Sequence, residues 1–182
     1  MAKLTIDRDE MLDAAEDLVV SKGASALTID ALAKAMNISK GGVQYAFTSK
    51  DGLVDAILKR WERRYNGMIE DLLQDGSGRH SHTSAHLEMV LNAEPAARAR
   101  TASLLAAFMQ SPDHIASIRQ WYHERLANLD MAAPQGRAMA VTFLAVEGAS
   151  MLRDFKLIDP TDEQWNQITE VLKDQCLKSM ES

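Results

Sequence analysis

The sequence predicts an all-α protein of about nine helices, and three observations predict it. Aromatic residues make up only 5% of the 182 residues while Ala, Leu and Met are plentiful, a balance that disfavours strands. Apolar residues recur at three- and four-residue spacing through most of the chain. The four prolines, Pro95, Pro112, Pro134 and Pro160, all fall at boundaries, three of them where proline opens a helix.

In order, Met11, Leu12, Ala15, Leu18 and Val19 mark a first helix that stops at Lys22-Gly23. Thr28 is a good N-cap for a second helix carrying Ile29, Leu32, Ala33 and Met36, with Asp30 in its first turn, where an anion suits the helix dipole. That helix ends at Asn37, a residue that tolerates left-handed backbone. Ser39 caps a short third helix with Val43 and Phe47 facing inward. Thr48-Ser49 caps a fourth, with Leu53, Ile57, Trp61, Met68 and Leu72 on its apolar side. Unbroken to Gln74, it is about 39 Å long at ~1.5 Å per residue. The breaker-rich run DGSGRHSHTS (75–84) is a loop. Beyond it the expected helices cover Ser84–Asn92, Pro95–Gln110, Pro112–Asp130, Pro134–Phe155 and Thr161–Met180.

No apolar run reaches the ~20 residues that span a bilayer. The N-terminus MAKLTIDRDEM lacks the apolar stretch of a signal peptide, and a lone cysteine, Cys176, excludes an internal disulfide. The expectation is a cytoplasmic protein that does not engage membranes. The net charge of −6 is unevenly spread: residues 31–65 carry seven basic and three acidic side chains, whereas the segments on either side are acidic. A cationic block inside an acidic chain is either a solvated face or a binding patch, and charge alone does not decide.

The block contains NISKGGVQYAF (37–47), two short helices joined at Asn37-Ile38-Ser39. A helix-turn-helix must seat a short second helix so that it projects into the major groove. Leu32, Met36, Ile38, Val43 and Phe47 supply apolar seating, Ala33 a small contact residue and Asn37 the turn. The pair Gly41-Gly42 is an odd choice, since glycine in a helix costs about 1 kcal/mol relative to alanine. In a recognition helix, absent side chains let the backbone approach the duplex.

The run LTIDALAKAMNISKGGVQYAFTSKDGLVDAIL (27–58), after a helix ending SKGA, resembles the N-terminal domain of the tetracycline-repressor (TetR) family of bacterial regulators. Thr28, Leu32-Ala33, Ala35, Ile38-Ser39, Phe47, Ser49-Lys50 and Leu53 match its pattern. Asn37 replaces the turn glycine, and the family's phosphate-contacting Tyr and His fall on Gln44 and Ala46, with Tyr45 between. The resemblance implies a helix-turn-helix DNA-binding domain over 1–48. It also implies a helical ligand-binding and dimerisation domain over 49–182, in which 49–74 is a long connecting helix. Chemistry then assigns roles. Lys40 and Lys50 neutralise phosphates, and the helix N-termini at Thr28 and Thr48-Ser49 offer backbone amides to them. Gly41 and Gly42 admit the duplex, and Tyr45 meets a phosphate or sugar. Gln44 addresses adenine through its amide, or only a phosphate or water.

By the same resemblance the protein is a repressor that binds a palindromic operator as a homodimer and is released by a small, largely apolar effector. Small and apolar residues on the last two helices give the dimer independent support. They are Val141, Leu144, Ala145, Gly148 and Leu152 on one helix and Trp165, Ile168, Leu172, Cys176 and Met180 on the other. The same stripes also suit an intramolecular core. Candidate pocket residues are Met68, Leu72, Met89, Leu105, Phe108, Met109, Trp121, Tyr122, Phe143, Glu147 and Met151. Glu147 stands out as a carboxylate on a mainly apolar helix, costly to bury unless paired. It either counters a cationic ligand, pairs with Arg153 or Arg119, or faces water. Two other classes remain open: a helical protein-interaction module that binds no DNA, and a metal-dependent helical enzyme. For the latter the only ligand pattern is His80, His82 and His86, and no catalytic motif accompanies it, so neither a cofactor nor a metal is expected.

Overall fold

The order of elements follows from where the chain supplies caps and breakers. The computed structural model describes residues 7–74 and 81–181, with side chains to Lys178. Among the described residues there are nine α-helices and no strand: α1 (Arg8–Lys22), α2 (Ile29–Ala35), α3 (Lys40–Phe47), α4 (Lys50–Leu73), α5 (His82–Asn92), α6 (Pro95–Phe108), α7 (Pro112–Ala127), α8 (Pro134–Asp154) and α9 (Asp162–Glu181). None of them is long and apolar enough to cross a membrane. The prolines at 95, 112 and 134 each open a helix, as expected. Helix α5 starts at His82 rather than Ser84. The reason is a capping box: Ser81 Oγ accepts from the Ser84 amide and Ser84 Oγ from the Ser81 amide. Residues 75–80 of the expected loop lie outside the described residues.

By packing, the chain divides into two compact units. The first takes residues up to Arg64 together with Ala99–Ile115; the second takes Tyr65–Arg98 and Ala116 onward. Helix α4 therefore contributes its first fifteen residues to one unit and its last nine to the other. The first unit reaches further than the 1–48 segment singled out by the helix-turn-helix motif, because Leu53, Val54, Ile57 and Leu58 of α4 bury against it.

In the first unit Leu12, Val19, Leu27, Leu32, Val43, Leu53 and Ile57 are all under 2% exposed, each burial contributing roughly 1.5–3 kcal/mol. Two charges share this interior. Glu16 on α1 and Arg60 on α4 are both buried, and Arg60 Nε donates to Glu16 Oε1 (2.9 Å) while its Nη2 bonds the same oxygen. Arg60 Nη1 donates to Asp13 Oδ1 (2.9 Å) and to the Asp9 carbonyl (3.1 Å). Arg100 Nη1 on α6 covers the other Glu16 oxygen at 2.7 Å.

In the second unit, α5 packs on α8 and α9, and α8 on α9. Its core joins Leu87, Met139, Phe143, Val146 and Cys176, with Tyr122, Leu126 and Leu172 packed against them. The apolar side of α4 runs through Tyr65 and Ile69, both buried, rather than through Met68, which is exposed. Either position continues a stripe from Ile57 and Trp61, since 3.6 residues per turn falls between them.

Replacing Arg60 with Met should destabilise the fold by about 3 kcal/mol or more, because Glu16 is left as a buried charge short of its main partner. Arg64→Met should change stability by under about 1 kcal/mol, since Arg64 is 56% exposed and reaches the same acids only at 3.6–3.7 Å. Urea unfolding followed by circular dichroism checks both, and equal costs would show that burial of the Glu16–Arg60 pair is not what matters.

Candidate functional site

Two sets of residues carry the functional expectations, one in each unit. In the first, Thr28 Oγ1 accepts from the Ala31 amide (3.0 Å) and opens α2. Asn37 takes φ 54°, turning the chain sharply so that the Ile38 amide donates to the Ala33 carbonyl (2.9 Å). Ser39 Oγ then accepts from the Gly42 amide (3.1 Å) to start α3. Val43 and Phe47 are buried, while Gly41, Gln44 and Tyr45 face outward, Tyr45 being 95% exposed. The phenol ring thus lies on the side of α3 opposite the one that packs into its own unit.

The glycine pair is not explained by its own unit. A Cβ built on Gly41 meets only Ser39 Oγ at 3.9 Å, and on Gly42 the same atom at 3.5 Å, both ordinary contacts. Neither glycine has a positive φ. The fold would accept side chains at both positions, so the helix carries two weakening residues that nothing inside the unit requires. Gly52 is the opposite case, which sequence reading passed over. A Cβ there would lie 2.3 Å from the Phe47 carbonyl oxygen, so the tight α3–α4 corner admits glycine alone.

Of the pair Thr48-Ser49 expected to cap α4, Ser49 does so and Thr48 does not. Thr48 ends α3 with φ 63°, its amide donating to the Gln44 carbonyl (2.8 Å), and Ser49 Oγ takes over the capping by accepting from Gly52 (3.0 Å). A β-branched residue in left-handed backbone costs on the order of 1–3 kcal/mol. Lys50 is exposed at the first turn of α4. Lys40 is exposed too and forms an ion pair with Asp30 at 3.0 Å, a contact weak enough at the surface to be exchanged for a phosphate.

In the second unit, Trp121, Tyr122 and Glu147 come together with three residues the sequence did not nominate for a pocket: Tyr65, His86 and Arg125. Tyr65 Oη is hydrogen-bonded to His86 Nδ1, His86 Nε2 lies 2.7 Å from Glu147 Oε1, and Tyr122 Oη donates to Glu147 Oε2. Glu147 thus pairs neither with Arg153 nor with Arg119, and it does not face water: its side chain is 14% exposed. The Arg125 guanidinium stacks 3.3 Å above the Trp121 ring centroid and 5.2 Å from that of Tyr65. Phe143 lies wholly inside, its ring 5.3 Å from that of His86. A polar residue on each of α4, α5, α7 and α8 converges here; Tyr65, between Trp61 and Ile69 on its helix face, was the legible one, whereas His86 follows His82 and Thr83 and carried no such signal.

Other pocket candidates scatter. Leu72, Met89 and Met151 are half-buried and Met68 is exposed. Leu105, Phe108 and Met109 belong to the first unit, where Phe108 packs edge-on to His114 and Met109 is exposed. Of the histidines considered for metal, His86 is engaged as above, His82 is exposed and His80 lies outside the described residues. Among the dimer candidates, Val141, Leu144, Ala145, Leu152 and Ile168 are exposed and Gly148 half-buried. Trp165, Leu172 and Cys176 point the other way. Trp165 is buried beneath the Arg153 guanidinium and Cys176 in the apolar core, so they hold α9 to its own unit. On α9 the outward apolar residues are Ile168, Val171 and Leu177.

Burial pushes the Tyr65 and Tyr122 hydroxyls well above the ordinary tyrosine value of about 10; at Tyr122 the Glu147 carboxylate adds to the effect. For a group raised in the folded state, the stability it contributes is whole below that unfolded value and is lost as pH climbs toward the folded one. In Tyr45→Phe protein, alkaline titration should therefore produce no tyrosinate absorbance while the helices are intact. Absorbance and loss of helical circular dichroism should rise together, and an ionisation step preceding unfolding would contradict the burial.

Comparison with known proteins bears on both units. Residues 11–57 match the model of bacterial regulatory proteins of the tetR family, and residues 80–176 match that of the tetracyclin repressor-like C-terminal domain. No match was found among curated proteins. The chain is similar in fold to a transcriptional regulator from Rhodococcus sp. Rha1, with a TM-score of 0.69 and 17% identity over 97% of this chain and 98% of that one. It is similar also to the multidrug binding protein EbrR complexed with malachite green, with a TM-score of 0.64 and 17% identity over 93% and 98%. A TerR/AcrR-family regulator from Aquifex aeolicus VF5 gives 0.63 and 14% over 92% and 95%. With a helix-turn-helix head and a matched C-terminal domain, the chain belongs to the TetR family and is a ligand-responsive, DNA-binding transcriptional regulator.

Proposed function

We propose that the protein is a cytoplasmic repressor that binds a palindromic operator as a homodimer and lets go when a small, largely apolar effector enters its C-terminal domain. In this reading residues 1–48 read DNA and residues 49–182 bind effector and partner. The observation that carries it is the outer side of α3. Gly41 and Gly42, which the fold does not need, lie beside exposed Gln44 and Tyr45, a surface of bare backbone, amide and phenol suited to close approach to base edges and phosphates. Lys40 and Lys50 neutralise phosphates at its margins, and the N-terminus of α2 at Thr28 supplies a further phosphate donor, whereas the Thr48 amide is taken by the Gln44 carbonyl.

Two-fold operators are read by two-fold proteins, and the outward apolar residues of α8 and α9 supply a surface for pairing: Val141, Leu144 and Leu152 with Ile168 and Val171 are each more than a third exposed. The effector site in this reading is the polar and aromatic cluster around Glu147; that EbrR, similar in fold, is a multidrug binding protein complexed with malachite green supports a small-molecule effector. Helix α4 carries Arg60 in the first unit and Tyr65 in the second, so it is the natural carrier of the signal. A coupling of ~1–3 kcal/mol gives a 5- to 150-fold change in DNA affinity. The reading is of a binding protein, with no catalytic role for any of these residues.

Gel shift with DNA flanking the protein's own gene tests the assignment. Specific binding should weaken steeply with salt, and Gly42→Leu should abolish it while helical content and oligomeric state stay as they are. Binding that survives Gly42→Leu would restrict the glycines to local packing. Leu144→Glu should yield monomers by light scattering and weaken operator binding at least tenfold; a Leu144→Glu dimer would move the interface elsewhere.

A further inference from the structure

A serine or threonine inside a helix can turn its hydroxyl back to the carbonyl four residues earlier, and this chain does so at Ser21, Ser103, Thr142 and Thr169. Ser150 on α8 does not. It is 7% exposed, and its Oγ has no hydrogen-bond partner among the described residues. One turn further on, Arg153 lays its guanidinium 4.2 Å from the centroid of the Trp165 ring, and its Nη1 is likewise buried without a partner among those residues. Positions three apart on a helix are neighbours, their Cβ atoms ~5–6 Å apart. Two idle donors therefore share the inner side of α8 near its C-terminal end, within the second unit. A buried donor left without an acceptor is costly, and a pair of them calls for an explanation.

Charge at this place is positive and poorly cancelled. Arg98 on α6 donates from Nε to Asp154 Oδ1 (3.2 Å) and from Nη1 to the Ala93 carbonyl (3.3 Å). Asp154 and Asp162 act on Arg153 only through space, and burial together with the Arg98 charge holds its guanidinium below the ordinary arginine value. Burial pushes the Asp154 carboxyl up against the pull of Arg98. Two guanidiniums facing one buried acid leave a positive charge over, since Asp162 is exposed and screened by water.

We infer that this side of α8 binds a small monocarboxylate, which accepts from Arg153 Nη1 with one oxygen and from Ser150 Oγ with the other. Each donor stands on its own turn, so two acceptor atoms suit them better than the single centre of a chloride ion. A divalent oxyanion such as phosphate fits poorly, because Asp154 and Asp162 repel its second charge. A water molecule would accept from either donor but would leave the excess charge as it is. Arg98 and Asp154 are each 18% exposed, so the edge of the cluster meets solvent and a small anion can reach it. The site needs no ligand at Glu147, three residues before Ser150.

Saturation-transfer NMR from the full-length protein to the methyl protons of acetate, in chloride-free buffer, tests this, with acetamide as the neutral isostere. Acetate should give a saturable signal and acetamide none, and equimolar chloride should leave the acetate signal in place. Arg153→Met should abolish the signal. Ser150→Ala, which removes one atom and no charge, should weaken acetate about tenfold, the loss of one hydrogen bond to a charged group; this arm decides if Arg153→Met fails to fold. Four results would overturn the assignment. They are no acetate signal, an equal signal from acetamide, displacement by equimolar chloride, and acetate binding that Ser150→Ala leaves unchanged, the last marking an adventitious ion only.

Discussion

The buried pair of Glu16 and Arg60 is the interaction on which the reading head depends. Taking both charges out of water costs several kcal/mol apiece, and their attraction offsets this only when geometry and remaining hydrogen bonds are good. Here they are: Arg60 spends its donors on Glu16, Asp13 and the Asp9 carbonyl, and Arg100 takes the second Glu16 oxygen. A well-packed apolar pair of similar volume supplies as much stability. What it would not supply is direction, because a guanidinium fork satisfies these acceptors in only one rotation of α4 about its axis. The ion pair sets where α4 begins relative to α1, and α3 hangs from that beginning.

Helix α3 needs such support. Eight residues with two glycines do not form a stable helix unaided. Val43 and Phe47 bury its inner side, and its ends are fixed by backbone that only the surrounding structure can hold in place. Asn37 enters it and Thr48 leaves it at positive φ, and Gly52 lets the next helix start against the Phe47 carbonyl. Strain at both ends and weak propensity between them suit a helix whose outer side must match something other than its own core.

Features set by neighbours in sequence were legible in it. Thr28 and Ser39 cap as expected because capping is a contact across three residues, and the prolines open helices for an equally local reason. Asn37 announced its turn. Contacts between distant segments were not legible as pairs. Glu16 among Leu12, Ala15 and Val19, and Arg60 one turn after Ile57, are each visible as a charge on an apolar side, but nothing local says that residues 44 positions apart meet. Glu147 raised the right question and received an unforeseen answer, since His86 and Tyr122 arrive from other helices. On α9, Trp165 and Cys176 were assigned outward with Ile168, yet a stripe wide enough to bury on one side and pair on the other divides between the two. Only the packing of Cys176 with Phe143 and Val146, and of Trp165 under Arg153, shows where the division falls.

The same ion pair constrains how a regulatory signal can pass. Arg60 and Tyr65 are five positions apart on α4, one bound to acids of the first unit and the other hydrogen-bonded to His86 in the second. A gradual rotation of α4 would stretch several charge-assisted hydrogen bonds inside a low-dielectric core, where each is expensive to leave half-made. In the proposed mechanism α1 and α4 therefore move together or not at all, which favours two discrete arrangements over a continuum. Arg64, between the two, reaches Asp13 and Glu16 only at 3.6–3.7 Å and from an exposed position, so it adds little resistance of its own. In the proposed mechanism, the stiffness that makes the effector signal reach α3 is thus the stiffness of one buried guanidinium among its carboxylates.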